Sequence, residues 1–102
     1  MIVRIVKMEF QEDRIPDFLN IFAGSRDRIL AFEGCSHVQL LQDVTDPSVF
    51  FTYSYWDTEE QLNTYRESEL FAGVWARTKA LFKAKPMAWS TTDQTKVDVH
   101  TL

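Results

Sequence analysis

The stretch Val49-Phe50-Phe51-Thr52-Tyr53-Ser54-Tyr55-Trp56 decides the fold. Seven of its eight residues are β-branched or aromatic, the side chains that pack best on a pleated surface. Alternation puts Phe51, Tyr53 and Tyr55 on one face and Phe50 and Trp56 on the other. A strand this bulky on both faces needs its sheet covered on both sides.

Upstream of it, Asp43 to Ser48 reads as a hairpin loop leading back to a strand over Cys35 to Gln42, where Val38 and Leu40 alternate against His37, Gln39 and Leu41. Downstream, Thr58-Glu59-Glu60-Gln61 has capping-box spacing and opens a short helix to about Arg66. Ser68 reads as a second N-cap. Behind it Leu70, Phe71, Val74, Trp75, Thr78, Leu81 and Phe82 form a helical stripe, predicting a helix from Glu69 to Lys83 that Pro86 stops. Met87 to Thr92 reads as a last strand. At the start of the chain, Ile2, Val6, Met8 and Phe10 share one strand face, with Val3 and Ile5 on the other. Pro16 suits the first turn of a helix. Its stripe is Ile15, Phe18, Leu19, Phe22, Arg26, Ile29 and Leu30, and Gly34 is expected to end it.

The order is β-α-β-β-α-β, with the second helix broken in two. This predicts an α+β, ferredoxin-like fold: a four-stranded antiparallel sheet with its helices on one face. One domain is expected over residues 1–93, with residues 94–102 as a tail or an added edge strand that includes Val97 and Val99. No element remains to cover the other face of the sheet, so a homodimer packed sheet to sheet is expected.

The charge balance sets further bounds. Eleven Lys and Arg against fifteen Asp and Glu give a net charge of −4, which argues against nucleic acid or a membrane surface as partner. One cysteine, Cys35, excludes an internal disulfide framework, and with only two histidines a dedicated zinc site is not expected. Three glycines leave no phosphate-cradling loop. No run of apolar residues is long enough for a membrane span, and charges interrupt the apolar N-terminus as they do not in a signal peptide. A cytoplasmic protein is the expectation.

Glu33-Gly34-Cys35, Leu41-Gln42-Asp43, Asp46-Pro47, Tyr55-Trp56-Asp57, Glu60 and Ser68-x-x-Phe71 occur in an order and spacing that resemble the antibiotic biosynthesis monooxygenase family, of the dimeric α+β barrel superfamily. The resemblance runs from about Met1 to Asp93. It implies a homodimer with a cleft between each sheet and its helices. The activities it implies range from cofactor-free oxygenation of polyketide quinols to haem degradation and turnover of small signalling molecules. Where the haem-degrading branch has an Asn, a Trp and an axial His, this sequence has Lys7, Tyr65 and Trp75. Tyr65 also falls where many members carry a His near the end of the short helix.

Two residues are candidates for catalysis. His37 has the imidazole suited to proton abstraction near neutral pH, with a hydrogen-bonded strand histidine as the plainer reading. Tyr65 has a hydroxyl that can hold an oxyanion. Trp56, Tyr65, Phe71 and Trp75 are the candidate lining of a flat aromatic pocket, with core packing as the alternative. Arg66 suits an anionic substrate or a solvated helix end. Gly73 leaves room for a ligand or for close helix packing. Cys35 reads as a buried, inert thiol. Glu59, Glu60, Glu67 and Glu69 read as helix N-terminal charges.

The expected function is a cofactor-independent monooxygenase that oxidises a small phenolic or quinol-like molecule with O2, with no metal and no added cofactor. The alternative is a non-oxidative ligand-binding or isomerase-type barrel. Haem degradation ranks below both.

Overall fold

The computed structural model describes residues 1–95. Seven principal elements follow in order: β1 (Ile2–Glu9), α1 (Ile15–Leu30), β2 (Cys35–Gln42), β3 (Val49–Trp56), α2 (Glu59–Arg66), α3 (Glu69–Lys79) and β4 (Met87–Thr92). A single 3-10 turn, Glu12–Arg14, leads into α1. The four strands form one antiparallel sheet in the order β2-β3-β1-β4. This is the ferredoxin-like α+β arrangement predicted from the sequence. The tail expected over residues 94–102, including Val97 and Val99, lies outside the described residues from position 96 onward.

Local chemistry accounts for most of the boundaries. Thr58 Oγ1 accepts from the Gln61 N–H at 3.2 Å and donates to Gln61 Oε1 at 3.2 Å, closing the start of α2. Ser68 joins α2 to α3 with one hydroxyl, which accepts from the Phe71 N–H at 3.1 Å and donates to the Tyr65 carbonyl at 2.6 Å. α3 is shorter than its stripe. It ends at Lys79, and Leu81 and Phe82 reach the core from the following turn, where Phe82 bridges Phe10. Gly34 does not cap α1, which stops at Leu30 with Ala31 as its C-cap. Instead Gly34, at φ +88°, turns the chain into β2, and an added Cβ there would collide with the Gln61 side chain.

The buried face of α1 also differs from the predicted stripe. Leu19 is 42% exposed, whereas Ser25 is buried and satisfies its hydroxyl on the Ile21 carbonyl at 2.7 Å. A serine can face the core because its hydroxyl bonds back to its own helix.

Two apolar clusters lie between helices and sheet. Met8, Phe10, Phe18, Phe50 and Leu81 form one, with Phe10 stacked on Phe18 at 4.1 Å. Ile29, Val38, Trp56 and Leu62 form the other. Phe22 packs against both. The register places Val3, Ile5, Phe51, Tyr53, Tyr55 and Trp89 together on the opposite face, away from the helices. Trp89 there remains 41% exposed.

Candidate functional site

Between the two clusters lies a cavity of about 320 Å³. Its floor is the helix-facing side of the sheet: Val6, Met8, Val38, Thr52 and Ser54. α1 supplies Phe18, Phe22, Ser25 and Ile29, while α2 and α3 supply Leu62, Tyr65, Arg66, Phe71, Val74, Trp75 and Thr78. That volume is at the small end of the range for small-molecule pockets, roughly 300–1,000 Å³.

A continuous run of rings builds and backs one wall, with Tyr65, Phe71 and Trp75 on the cavity side. Trp56 stacks on Tyr65 with centroids 5.0 Å apart, and Tyr65 meets Phe71 edge-on at 5.3 Å. Phe71 stacks on Trp75 at 5.9 Å and 9°, and Trp75 meets Phe82 edge-on at 5.5 Å. The Ser68 hydroxyl sets the angle of this wall, because it binds the backbone of both Tyr65 and Phe71. A Cβ at Gly73 would meet nothing within 4 Å, so close packing does not require that glycine.

The structure separates the candidate residues. Tyr65, Phe71 and Trp75 all line the cavity. Trp56 does not. It is wholly buried behind Tyr65, its indole N–H donating to Ser54 Oγ at 2.9 Å, so it supports the wall from the core. His37 is on the other side of the sheet. A β-bulge between Cys35 and His37 lets Cys35 pair with Trp56 while His37 pairs with Tyr55. The imidazole then lies against Tyr55 at 4.7 Å and Tyr53 at 5.7 Å, with Nε2 2.8 Å from Gln39 Oε1. It therefore cannot reach a ligand in this cavity within the same chain. Lys7 pairs with Phe51 and Met87 and shares that outer face. Cys35 is half-buried. Burial pushes its thiol pKa up, against a backbone hydrogen bond at His37 that favours the thiolate.

The Tyr65 hydroxyl is a poor acid here. Burial, and then the neighbouring Cys35, push its pKa up to about 12. It stays protonated at neutral pH and can donate a hydrogen bond, not abstract a proton. Among the described residues the cavity lining contains no carboxylate, imidazole, thiol or amine.

Arg4, which is not among the site residues expected from the sequence, also lines the cavity. It sits between Ile2 and Val6 on the helix-facing side of β1, opposite Ser54 and Ser90, and its Nη1 donates to Ser90 Oγ at 3.0 Å. The signal was available: strict alternation puts Arg4 on the same face as Ile2, Val6 and Met8.

Comparison with known proteins agrees with this architecture. A conserved protein from Methanosarcina mazei Go1 superposes with a TM-score of 0.86 at 17% identity, over 92% of this chain and 94% of that one. An antibiotic biosynthesis monooxygenase of known structure gives 0.85 at 16% identity, over 91% and 98%. Rv0793 from Mycobacterium tuberculosis gives 0.85 at 11% identity, over 94% and 97%. At such identities the likeness concerns the fold alone. No curated protein matches the sequence. The model of the antibiotic biosynthesis monooxygenase family matches residues 1–76, a span that runs from β1 to Ala76 in α3 and takes in most of the cavity wall. With that match spanning 76 of 102 residues, and the fold to go with it, the chain belongs to the antibiotic biosynthesis monooxygenase family.

Proposed function

We propose that this protein is a cofactor-independent monooxygenase that oxidises a small hydroxylated aromatic compound in the cavity beneath α1 and α3. The observation that carries this reading is the wall of Tyr65, Phe71 and Trp75 facing an apolar floor, a shape suited to a flat ring system. In such a reaction the substrate supplies the electrons. An activated ring methylene, in equilibrium with its phenolic form, loses a proton and the resulting anion reacts with O2. The methylene carbon becomes a carbonyl, losing both hydrogens. One atom of the O2 becomes the carbonyl oxygen, and the other leaves with the two hydrogens as water. The carbon is oxidised by four electrons, all of which O2 accepts. The protein holds the anion and keeps bulk water away from it. Among the described residues the cavity lining offers no base, and on this reading the first proton passes to solvent as the substrate ionises. Tyr65 then donates a hydrogen bond to the substrate oxygen.

The same reading makes the functional unit a homodimer, with Phe51, Tyr53, Tyr55 and Trp89 buried against a second copy and His37 at the contact. Residues 1–93 form its single domain. It works in the cytoplasm, with neither nucleic acid nor membrane as partner. Among the described residues no helix is long and apolar enough to cross a membrane. Haem fits these residues poorly, because Trp75 stands where the haem-degrading branch has its axial histidine.

Oxygen uptake tests the activity. An electron-rich hydroxyanthracene or hydroquinone should consume O2 with no metal or flavin added, and Trp75→Ala should lower the rate while circular dichroism stays unchanged. Lack of uptake across a panel of such compounds would refute the oxygenase reading. The missing base favours one alternative, a non-oxidative binding protein. That reading would show a ligand raising Tm with no turnover.

A further inference from the structure

Among the described residues the cavity lining has two positive charges and no negative one. Arg4 comes from β1 and Arg66 from the end of α2, and both line the same space. Among the described residues the ion pairs are Arg14–Asp17 and Arg26–Asp27, so neither cavity guanidinium is matched by a carboxylate. Arg4 is half-buried, and its side-chain hydrogen bond among the described residues goes to a neutral partner, Ser90. Its guanidinium pKa is held below the usual value, first by burial and then by the charge of Arg66. A half-buried Arg4 facing the like charge of the exposed Arg66 raises the energy of the empty protein. An anion placed between them removes that cost and gains charge-assisted hydrogen bonds from two forks.

We propose that Arg4 and Arg66 are an anion-recognition pair, and that the cavity binds flat aromatic molecules bearing one anionic oxygen group in preference to neutral rings. The proposal rests on the aromatic reading of the cavity and adds the charge of its ligand. The rings lie along Phe71 and Trp75, and the anionic group sits at the arginine end. For an oxidisable substrate, the pair also favours the ionised form that reacts, supplying electrostatically what an absent base would otherwise do.

Isothermal titration with naphthoate and its neutral analogue naphthamide tests this directly. Naphthoate should bind at least about tenfold more tightly, and added salt should weaken naphthoate alone. Arg66→Gln, at an exposed helix end, should lower naphthoate affinity about tenfold and leave naphthamide unchanged. Arg4→Gln should do the same if it folds, and Arg66→Gln decides the matter if it does not. A phenolate is the other source of such a group. Para-nitrophenol ionising at lower pH when bound supports the proposal for phenolates, and a preference confined to naphthoate supports it for carboxylates. Equal affinity for charged and neutral probes, unchanged by Arg66→Gln, would overturn the arginine pair and leave the aromatic cavity standing. Binding of none of the probes would overturn both.

Discussion

Alkaline pH should destabilise this protein through Tyr65, by an amount that Tyr65→Phe isolates. The phenol has a pKa near 10 in an unfolded chain and about 12 in the fold. Below about pH 10 both states keep the proton and this group makes stability independent of pH. Between about pH 10 and 12 the unfolded chain loses its proton while the native chain retains it. Fewer protons are then bound in the unfolded state, so stability falls as pH rises. A rise from about 10 to about 12 corresponds to about 2.7 kcal/mol across that window, and about half of this should be lost by about pH 11. The structure gives the cause: the ring is enclosed by Trp56, Phe32 and Phe71, in a place where a phenolate would be poorly solvated. Urea unfolding of wild type and Tyr65→Phe should be compared at a fixed chain concentration from about pH 8 to 11. Near pH 8 the two should agree within about 1 kcal/mol. Toward pH 11 the wild type should lose about 1.4 kcal/mol more than the variant. Every other tyrosine is common to both proteins and cancels in the difference. Parallel pH profiles for the two proteins would refute the burial of this hydroxyl and, with it, Tyr65 as a neutral donor in the site.

Three further outcomes are expected. Gly34→Ala should cost at least about 1–2 kcal/mol in chemical denaturation, because φ is +88° and the new Cβ meets Gln61; combining it with Gln61→Ala should recover only the clash with the amide end, since the Cβ of residue 61 stays in contact. Ser68→Ala should cost about 1 kcal/mol and weaken binding of aromatic probes, since that hydroxyl sets both Tyr65 and Phe71; a stability loss with unaltered binding would separate the cap from the wall. Tyr53→Glu, on the outer face of β3, should abolish a species of about twice 11.9 kDa in light scattering and give aggregate or unfolded chain, whereas a folded wild-type monomer would refute the sheet-to-sheet dimer.

The local choices in this fold are legible residue by residue. β2, β3 and β4 begin and end where alternation and turn residues predict. Thr58 and Ser68 cap the helices they precede because a hydroxyl ahead of exposed N–H groups has one good use. Phe71 and Trp75 fall on one wall because their four-residue spacing within α3 puts them on one face, and the Ser68 junction brings Tyr65 of α2 alongside. Other features depend on contacts that no local pattern encodes. The face taken by Cys35 follows from one extra residue in the β2–β3 ladder, which turns it to the Trp56 side against its alternation with His37, Gln39 and Leu41, and a bulge is set by the pairing of two strands. Ser25 displaces Leu19 from the buried stripe of α1 because helix docking sets which arc is covered, and a self-satisfied hydroxyl tolerates the core. The meeting of Arg4 and Arg66 is decided later still. Alternation puts Arg4 on the helix side of its strand, and periodicity puts Arg66 at the end of a short helix. Only packing of that helix over the sheet brings the two charges to one cavity, 62 positions apart in the chain. Periodicity determines which way a side chain faces along its own element, whereas its neighbours across the interior depend on how the elements dock.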